Sequence, residues 1–401
     1  MDKPAARLAE DPTSRWPAVR VVIWGASAYL IAALAWWLQP QIIDGLTRTG
    51  GISASAAGLV TGVEVGVGAT TSIVLGIFIA RWGISLRRLG LIGVGVAFLC
   101  HMLSILDLSI PALIGARMVA GFGEGLVLAA GNAALARCDR PARRIAQVLA
   151  VYTAGGSLLV TFAPAVGEVY GYRGLFALTG GLTMLLGFGM LLLPEGRIAR
   201  RLADEVLNIS RQAMPLVIAM GLWSMVSASA WAFSFTIGQT TGLSVRELAL
   251  ISGVSVASAT LGGAAAAVVG SRFGLIAPIA AALGCEMLAI LGFSVSTSPI
   301  VFGASLCLIL FIAYFVQPYM LALAAAIDGS GGVSSSAAGA YRLGGFFGPI
   351  LGGILIQSAG GSHGLAYNMA FLPMVIGLVL LASHRANGQG ANRQAVATLP
   401  S

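Results

Sequence analysis

Apolar residues in this chain come in runs much longer than a half-buried helix or strand requires. The sequence stays apolar for roughly twenty residues at a time between short polar interruptions, and about 20 such residues in a helix cross a bilayer's hydrocarbon. The runs predict membrane spans at 19–43, 54–80, 89–106, 110–136, 145–168, 173–193, 213–237, 246–269, 275–295, 299–326, 334–358 and 364–382. Spans 3 and 4, 5 and 6, 9 and 10, and 11 and 12 have short connections. A polar stretch from Pro194 to Gln212 divides the chain, and the tail from Ser383 is polar. About seventeen polar residues precede the first run, which is long enough to span and has no clear cleavage site. It therefore reads as a retained span and not as a signal peptide.

Composition agrees. Charged residues make up 9% of the chain and hydrophobic ones 57%, against roughly 25% charged in a soluble domain. Such a chain lacks the charge to cover a water-facing surface, so lipid is its expected surroundings. The 54 glycines suit membrane helices, which pack closely through small residues. Cys100, Cys138, Cys285 and Cys307 lie far apart with no CxxC or His/Cys cluster. They read as small buried residues, without a disulfide framework or a metal site.

The net charge of +8 changes the picture only through its distribution. With alternate loops assigned to the cytoplasm, starting from the N-terminus, 18 of the 23 basic residues fall inside. Arg48, Arg173 and Arg246 fall outside, and Arg117 and Arg342 lie within spans. This asymmetry supports twelve crossings with both termini in the cytoplasm. It also accounts for the charge without a nucleic-acid partner.

An internal repeat is visible at an offset of 191 residues: Gly51-Ile-Ser53 with Leu59, Gly62, Val63 and Val65 matches Gly242-Leu-Ser244 with Leu250, Gly253, Val254 and Val256. The same offset carries Arg81-Trp-Gly83 onto Arg272-Phe-Gly274. The expected organisation is a cytoplasmic tail (1–18), a six-helix half (19–193), a cytoplasmic linker (194–212), a second six-helix half (213–382) and a cytoplasmic tail (383–401). Duplicated halves point to a secondary transporter, in which one half rocks against the other around a midplane site.

Several segments resemble the major facilitator superfamily. Gly76-Ile-Phe-Ile-Ala80-Arg81-Trp-Gly83 with Arg87-Arg88 is similar to its signature G-x-x-x-D-R-x-G-R-R, with Ala80 at the acidic position and the last basic pair two residues late. Arg117-Met-Val-Ala-Gly121-Phe-Gly123-Glu-Gly125 matches its R-x-x-x-G-x-G-x-G pattern in span 4. Gly171-Tyr-Arg173-Gly-Leu-Phe176 resembles the segment that opens span 6. In span 11, Arg342-Leu-Gly344-Gly-Phe-Phe-Gly348-Pro349-Ile-Leu-Gly352-Gly353 is similar to a stretch found in aromatic-acid/proton symporters. The D-G-x-D pair of that branch is incomplete here, since Asp44-Gly45 lacks the second acid. Phe162-Ala-Pro164-Ala-Val-Gly167 is a degraded form of the exporter motif, which favours uptake. The resemblance implies an all-α fold of twelve helices in two pseudo-symmetric halves, usually monomeric. It also implies a gate at Arg81 and Gly83 and a coupling role for Arg117.

A charge at the bilayer centre costs roughly 3 kcal/mol or more, so ionisable residues within spans are functional candidates. Glu64 lies about ten residues into span 2, ~15 Å deep, and its repeat counterpart is Ser255. Glu124 follows Arg117 by seven residues, which returns a helix nearly to the same face, and Gly121 between them is expected to leave open space. Glu64, Glu124 and Arg117 are the proton-coupling candidates. A static packing network is the structural alternative. Arg342, whose planar fork suits a carboxylate, is the substrate candidate, with Gln39 beside Pro40 and with Tyr314 and Gln317 before Pro318. The alternative for Arg342 is a tether to backbone carbonyls. His101 and Glu286 fall on spans that the resemblance makes peripheral, and His101 reads as a satisfied structural histidine. Asp44, Asp107 and Glu168 read as solvated. Trp36, Trp37, Trp223 and Trp231 are expected to fill the core or anchor at the interface, with stacking on an aromatic substrate as the alternative.

No Walker motif, metal-ligand spacing or nucleophile–His–acid set stands out. The expectation is a multi-pass protein of a bacterial inner membrane, without enzymatic activity or cofactor. It would import a small organic anion, such as an aromatic carboxylate, on a proton gradient. Proton-antiport efflux and a non-transporting sensor are the alternatives.

Overall fold

The computed structural model describes residues 17–82, 85–135, 137–138, 141–193, 213–270, 272–295, 297–327, 332–358 and 376. Among these the chain is helical throughout, with no strand. The expected linker (194–212), Gly83 and the twelfth span lie outside the described residues, apart from Ile376.

The first span consists of α1 (Ala18–Ile31) and α2 (Leu34–Arg48). The others are α3 (Ala54–Trp82), α4 (Leu86–Leu103), α5 (Ile110–Leu135) and α6 (Pro141–Gly187), which runs into a 3-10 turn at Phe188–Leu192. After the linker come α7 (Met214–Ala232), α8 (Ser234–Thr240), α9 (Val245–Val269), α10 (Ile276–Val295), α11 (Pro299–Ile327) and α12 (Gly332–Ser358). Ten helical stretches among the described residues are long and apolar enough to cross a membrane. One of them, Arg143–Leu192, has 50 residues, over twice what a crossing needs. It breaks at Gly171, where φ is 62° and ψ is −161°. Spans 5 and 6 are thus joined by one glycine whose backbone a side chain would strain, without a loop.

The repeat is visible in the backbone. Gly51 and Gly242 both adopt positive φ, 64° and 83°, just before α3 and α9. Ser53 and Ser244 then each accept from the backbone N–H three residues on, both at 3.3 Å. At Ser244 this is a full capping box with Glu247, and such caps satisfy orphan amide donors at a helix start.

Proline can kink a helix, but Pro40 is not where the first span breaks. The first span breaks at Ala32–Ala33, and Pro40 sits inside α2. Proline still has an effect, because it lacks the N–H that would bond the carbonyl four residues back. That carbonyl, on Trp36, accepts instead from Trp231 Nε1 at 2.8 Å, which ties the first span to the seventh.

α3 lies between two partners, α5 and α12. Gly58, Gly62 and Gly66 form a stripe against α12. A Cβ on Gly62 would stand 2.8 Å from the Phe346 carbonyl oxygen, and one on Gly58 would collide with that of Pro349. On its other side the α3 backbone at Glu64 leaves no room for a Cβ on Gly121 of α5. The expected open space at Gly121 is therefore a backbone-to-backbone contact, as small residues permit.

The buried apolar residues form three groups. One gathers Trp24, Leu89, Val127 and Val148 from α1, α4, α5 and α6. A second gathers Trp223, Ile279, Val316 and Ala337 from α7, α10, α11 and α12. A third draws on both sides, with Trp37, Ile43, Phe176, Trp231, Phe235, Val256 and Phe302. The two sets of helices thus share a core towards the Gly51/Gly242 end and keep separate cores elsewhere. Side chains facing outward are apolar, with Ile300 at 82%, Val169 at 71% and Val268 at 71% exposure. Such surfaces suit hydrocarbon, where every backbone polar group is already satisfied within its helix.

Candidate functional site

The central feature is a closed ring of four side chains. Glu64 comes from α3, His101 from the last turn of α4, and Arg117 and Glu124 from α5. They are 1%, 0%, 0% and 2% exposed, sealed from water in this conformation. Arg117 NH1 donates to Glu64 Oε1 at 2.8 Å and to His101 Nδ1 at 3.0 Å. Its NH2 donates to the Cys100 carbonyl at 3.1 Å, and its guanidinium carbon lies 4.7 Å from the centre of the Phe176 ring. His101 Nε2 stands 3.4 Å from Glu124 Oε1. A carboxylate oxygen of Glu64 lies within 4.8 Å of one of Glu124, which closes the ring.

The structure therefore brings together Glu64, Arg117 and Glu124, but not by the intrahelical route that the sequence suggested. Arg117 turns to α3 and α4, and Glu124 reaches it through His101 and Glu64. His101 is not a satisfied structural histidine, because its Nε2 has no hydrogen-bond partner, and neither does Glu124 Oε1. The ligand atoms of Glu64, His101 and Glu124 lie within 4.8 Å of one another, a spacing compatible with a metal ion. Arg117 already supplies the cation there, contacting two of the three, so a metal would have to displace it.

A second constellation contains Arg342 on α12. The guanidinium is half-buried, and it has no acidic partner among the described residues. Its electrostatic neighbours are the phenols of Tyr29, Tyr152 and Tyr341. Tyr29 donates to Asn132 Oδ1 at 2.7 Å. Tyr152 neighbours Tyr314 of α11 and packs against Trp37 at 5.5 Å. Helices from both sides of the molecule thus contribute. Tyr314 falls within this group, and Gln317, one turn on, is half-buried. Gln39 is fully buried, and both atoms of its amide lack partners. Sequence reasoning missed Tyr29, Asn132, Tyr152 and Tyr341, since tyrosines scattered over three spans carry no shared spacing.

Four further acids were read as peripheral or solvated. Asp107 and Glu168 are exposed. Asp44 is 5% exposed, with Arg48 NH2 at 2.8 Å and Gln239 Nε2 donating to it at 2.9 Å. α8, folding back over α2, covers it. Glu286 on α10 is fully buried and accepts from Trp223 Nε1 and Ser227 Oγ, both at 2.7 Å. Trp37, Trp223 and Trp231 are fully buried as core residues. All four cysteines are free. Of the gate candidates, Gly83 and the Arg81 side chain lie outside the described residues.

A sequence model of the Major Facilitator Superfamily matches residues 25–341. The chain belongs to the major facilitator superfamily. Its architecture agrees with solved superfamily structures. A mutant form of the nucleoside transporter NupG superposes with a TM-score of 0.75 at 16% identity, covering 91% of this chain and 99% of that one. A bacterial homologue of the human lysosomal transporter Spinster, inward-facing and unoccupied, gives 0.69 at 15% identity, covering 93% and 96%. A D-xylose–proton symporter gives 0.69 at 14% identity, covering 90% and 95%. At such identities the likeness is one of fold. No curated protein matches the chain. This superfamily member is a multi-pass transporter of the lipid bilayer that moves a small molecule, and it is not an enzyme.

Proposed function

We propose that this transporter couples proton entry to uptake of a small organic carboxylate, with the halves 19–193 and 213–382 alternating access around Arg342. The observation that carries the reading is the buried ring. Two carboxylates facing one guanidinium leave a net negative charge in hydrocarbon, which costs roughly 3 kcal/mol. One bound proton removes that cost and turns two repelling carboxylates into a hydrogen-bonded pair. Arg342, without an acid of its own, offers two parallel donors to a substrate carboxylate. The surrounding phenols and Trp37 suit an aromatic one. In the orientation set by the basic loops, the closed Gly51/Gly242 end faces outward. The protein then acts as a monomer in a bacterial inner membrane, with the proton gradient as its energy source.

The test is uptake of a panel of radiolabelled aliphatic and aromatic carboxylates, benzoate among them, into proteoliposomes under an imposed inward proton gradient. Glu64→Gln should abolish gradient-driven accumulation, and Arg342→Ala should raise KM about tenfold or more, equivalent to ~1.4 kcal/mol. Uptake indifferent to the gradient and to Glu64→Gln would remove the coupling, and an unchanged KM in Arg342→Ala would remove that residue from the site. Gradient-driven loss of preloaded carboxylate would assign the protein to antiport efflux.

A further inference from the structure

The ring contains one group that neither the resemblance nor the proton-coupling assignment uses. An arginine N–H can only donate. His101 Nδ1, 3.0 Å from Arg117 NH1, therefore accepts, and in the neutral ring the imidazole proton sits on Nε2. That N–H faces Glu124 Oε1 at 3.4 Å. The two atoms are buried and neither has a hydrogen-bond partner. An imidazolium would turn Nδ1 into a donor pointing at another donor, so His101 can be charged or hold Arg117, but not both.

We propose that His101 is the proton-transfer link of the ring and that its tautomer sets the position of Arg117. This deepens the proton-coupling reading and rests on it. A solvent proton, admitted when the cluster opens, binds Nδ1, and an N–H bond forms there. The Nε2–H bond breaks, and that proton forms an O–H bond on Glu124. The histidine is left with its proton on Nδ1, facing the Arg117 N–H. Arg117 loses its bond to the imidazole and keeps Glu64 and the Cys100 carbonyl, so one proton removes one of the two bonds that tie Arg117 to α4. The charged groups facing the imidazole are Glu64 from α3 and Arg117 and Glu124 from α5, and the adjacent titratable group on its own helix α4 is the Cys100 thiol, which interacts with Arg117 and Glu64. α6 brings Gly180 against it, with no charged group.

The chain has three histidines. Replacing His363 and His384 with glutamine leaves His101 alone for nitrogen NMR of histidine-labelled protein in lipid nanodiscs. The expected spectrum at neutral pH is a neutral ring protonated on Nε2. A ring protonated on Nδ1, or charged, would overturn the proposal. Infrared titration of the buried carboxyl band gives the second measurement. In His101→Gln, which can still bond Arg117 and Glu124 but cannot relay a proton, its midpoint should move by about one pH unit or more. An unchanged midpoint would also overturn the proposal. The NMR experiment leaves residue 101 native, so it decides even if the variant does not fold. Both spectra as expected, in a protein whose uptake ignores the gradient, would sink the gradient-coupling reading alone.

Discussion

Arg117 faces three groups that no short-range pattern connects: Glu64 lies 53 residues away, His101 is 16 away, and the Cys100 carbonyl 17 away. Its guanidinium is fully buried, so it stabilises the fold only while those partners remain. Removing one member of a buried ion pair typically costs about 3–5 kcal/mol, because the other charge stays behind. Arg117→Gln should therefore lower stability by about that amount. The double variant Arg117→Gln/Glu64→Gln should recover part of it, since no lone charge remains opposite the missing cation. Unfolding in mixed micelles measures both. If the double variant is as unstable as the sum of the single ones, the two residues are not a coupled pair. The candidacy of Glu64, Glu124 and Arg117 was legible in the sequence because ionisable residues are rare inside apolar runs. Their partners were not. His101 looked peripheral because α4 is an outer helix by resemblance, and helix rank does not say which way its last turn points. Asp44 looked solvated because it sits near a span end, and the return of α8 over it is a tertiary event.

Among the elements, α3 is the one whose sequence has to satisfy two neighbours at once. Its glycine stripe meets α12, while the backbone at Glu64 meets Gly121 of α5. Overpacking such contacts costs about 1–3 kcal/mol. Gly58→Val puts branched carbon against the Pro349 carbonyl, and should reduce both folded yield and transport. Ser55→Ala, which loses only exposed bonds, to Gln357 at the same interface at 2.7 Å and to Ser53 at 3.2 Å, should change neither measurably. Equal effects of the two substitutions would mean that close approach at the stripe is not what holds α3 to α12. Helix starts were readable from sequence to within a few residues where Gly and Ser punctuate them, as at Gly51-Ile-Ser53 and Gly242-Leu-Ser244. Breaks inside apolar runs were not. The first span breaks at Ala32–Ala33 and not at Pro40, and proline's effect passes to the carbonyl of Trp36.

The molecule as a whole is held closed at one end. Asp44–Gln239, Trp231 to Trp36 and Ser157 to the Gly253 carbonyl, at 2.8–2.9 Å, all join the two sets of helices. With the shared core there and separate cores elsewhere, a transporter of this family opens that end by breaking few polar contacts. Gln239→Ala removes one and leaves the buried Asp44 with Arg48 alone. Spin labels at Thr49→Cys and Thr240→Cys, in a background without native cysteines, should then report a second, longer separation absent from the parent. A single unchanged distance would show that this bond does not hold the end shut.

By itself, the sequence determined that the chain spans a membrane, how the apolar runs repeat at a 191-residue offset, and which few ionisable residues lie within them. These properties are local or periodic, and lipid imposes them on each helix separately. Only the tertiary structure decided which of those residues meet. It took His101 into the ring, set Arg342 apart among tyrosines from both sides, buried Asp44 under α8 and closed one end of the bundle. The physical reason is that contacts between spans depend on how each helix is rotated about its axis and which backbone it can approach. Glycines far apart in the chain settle that together, and no single run of residues records it.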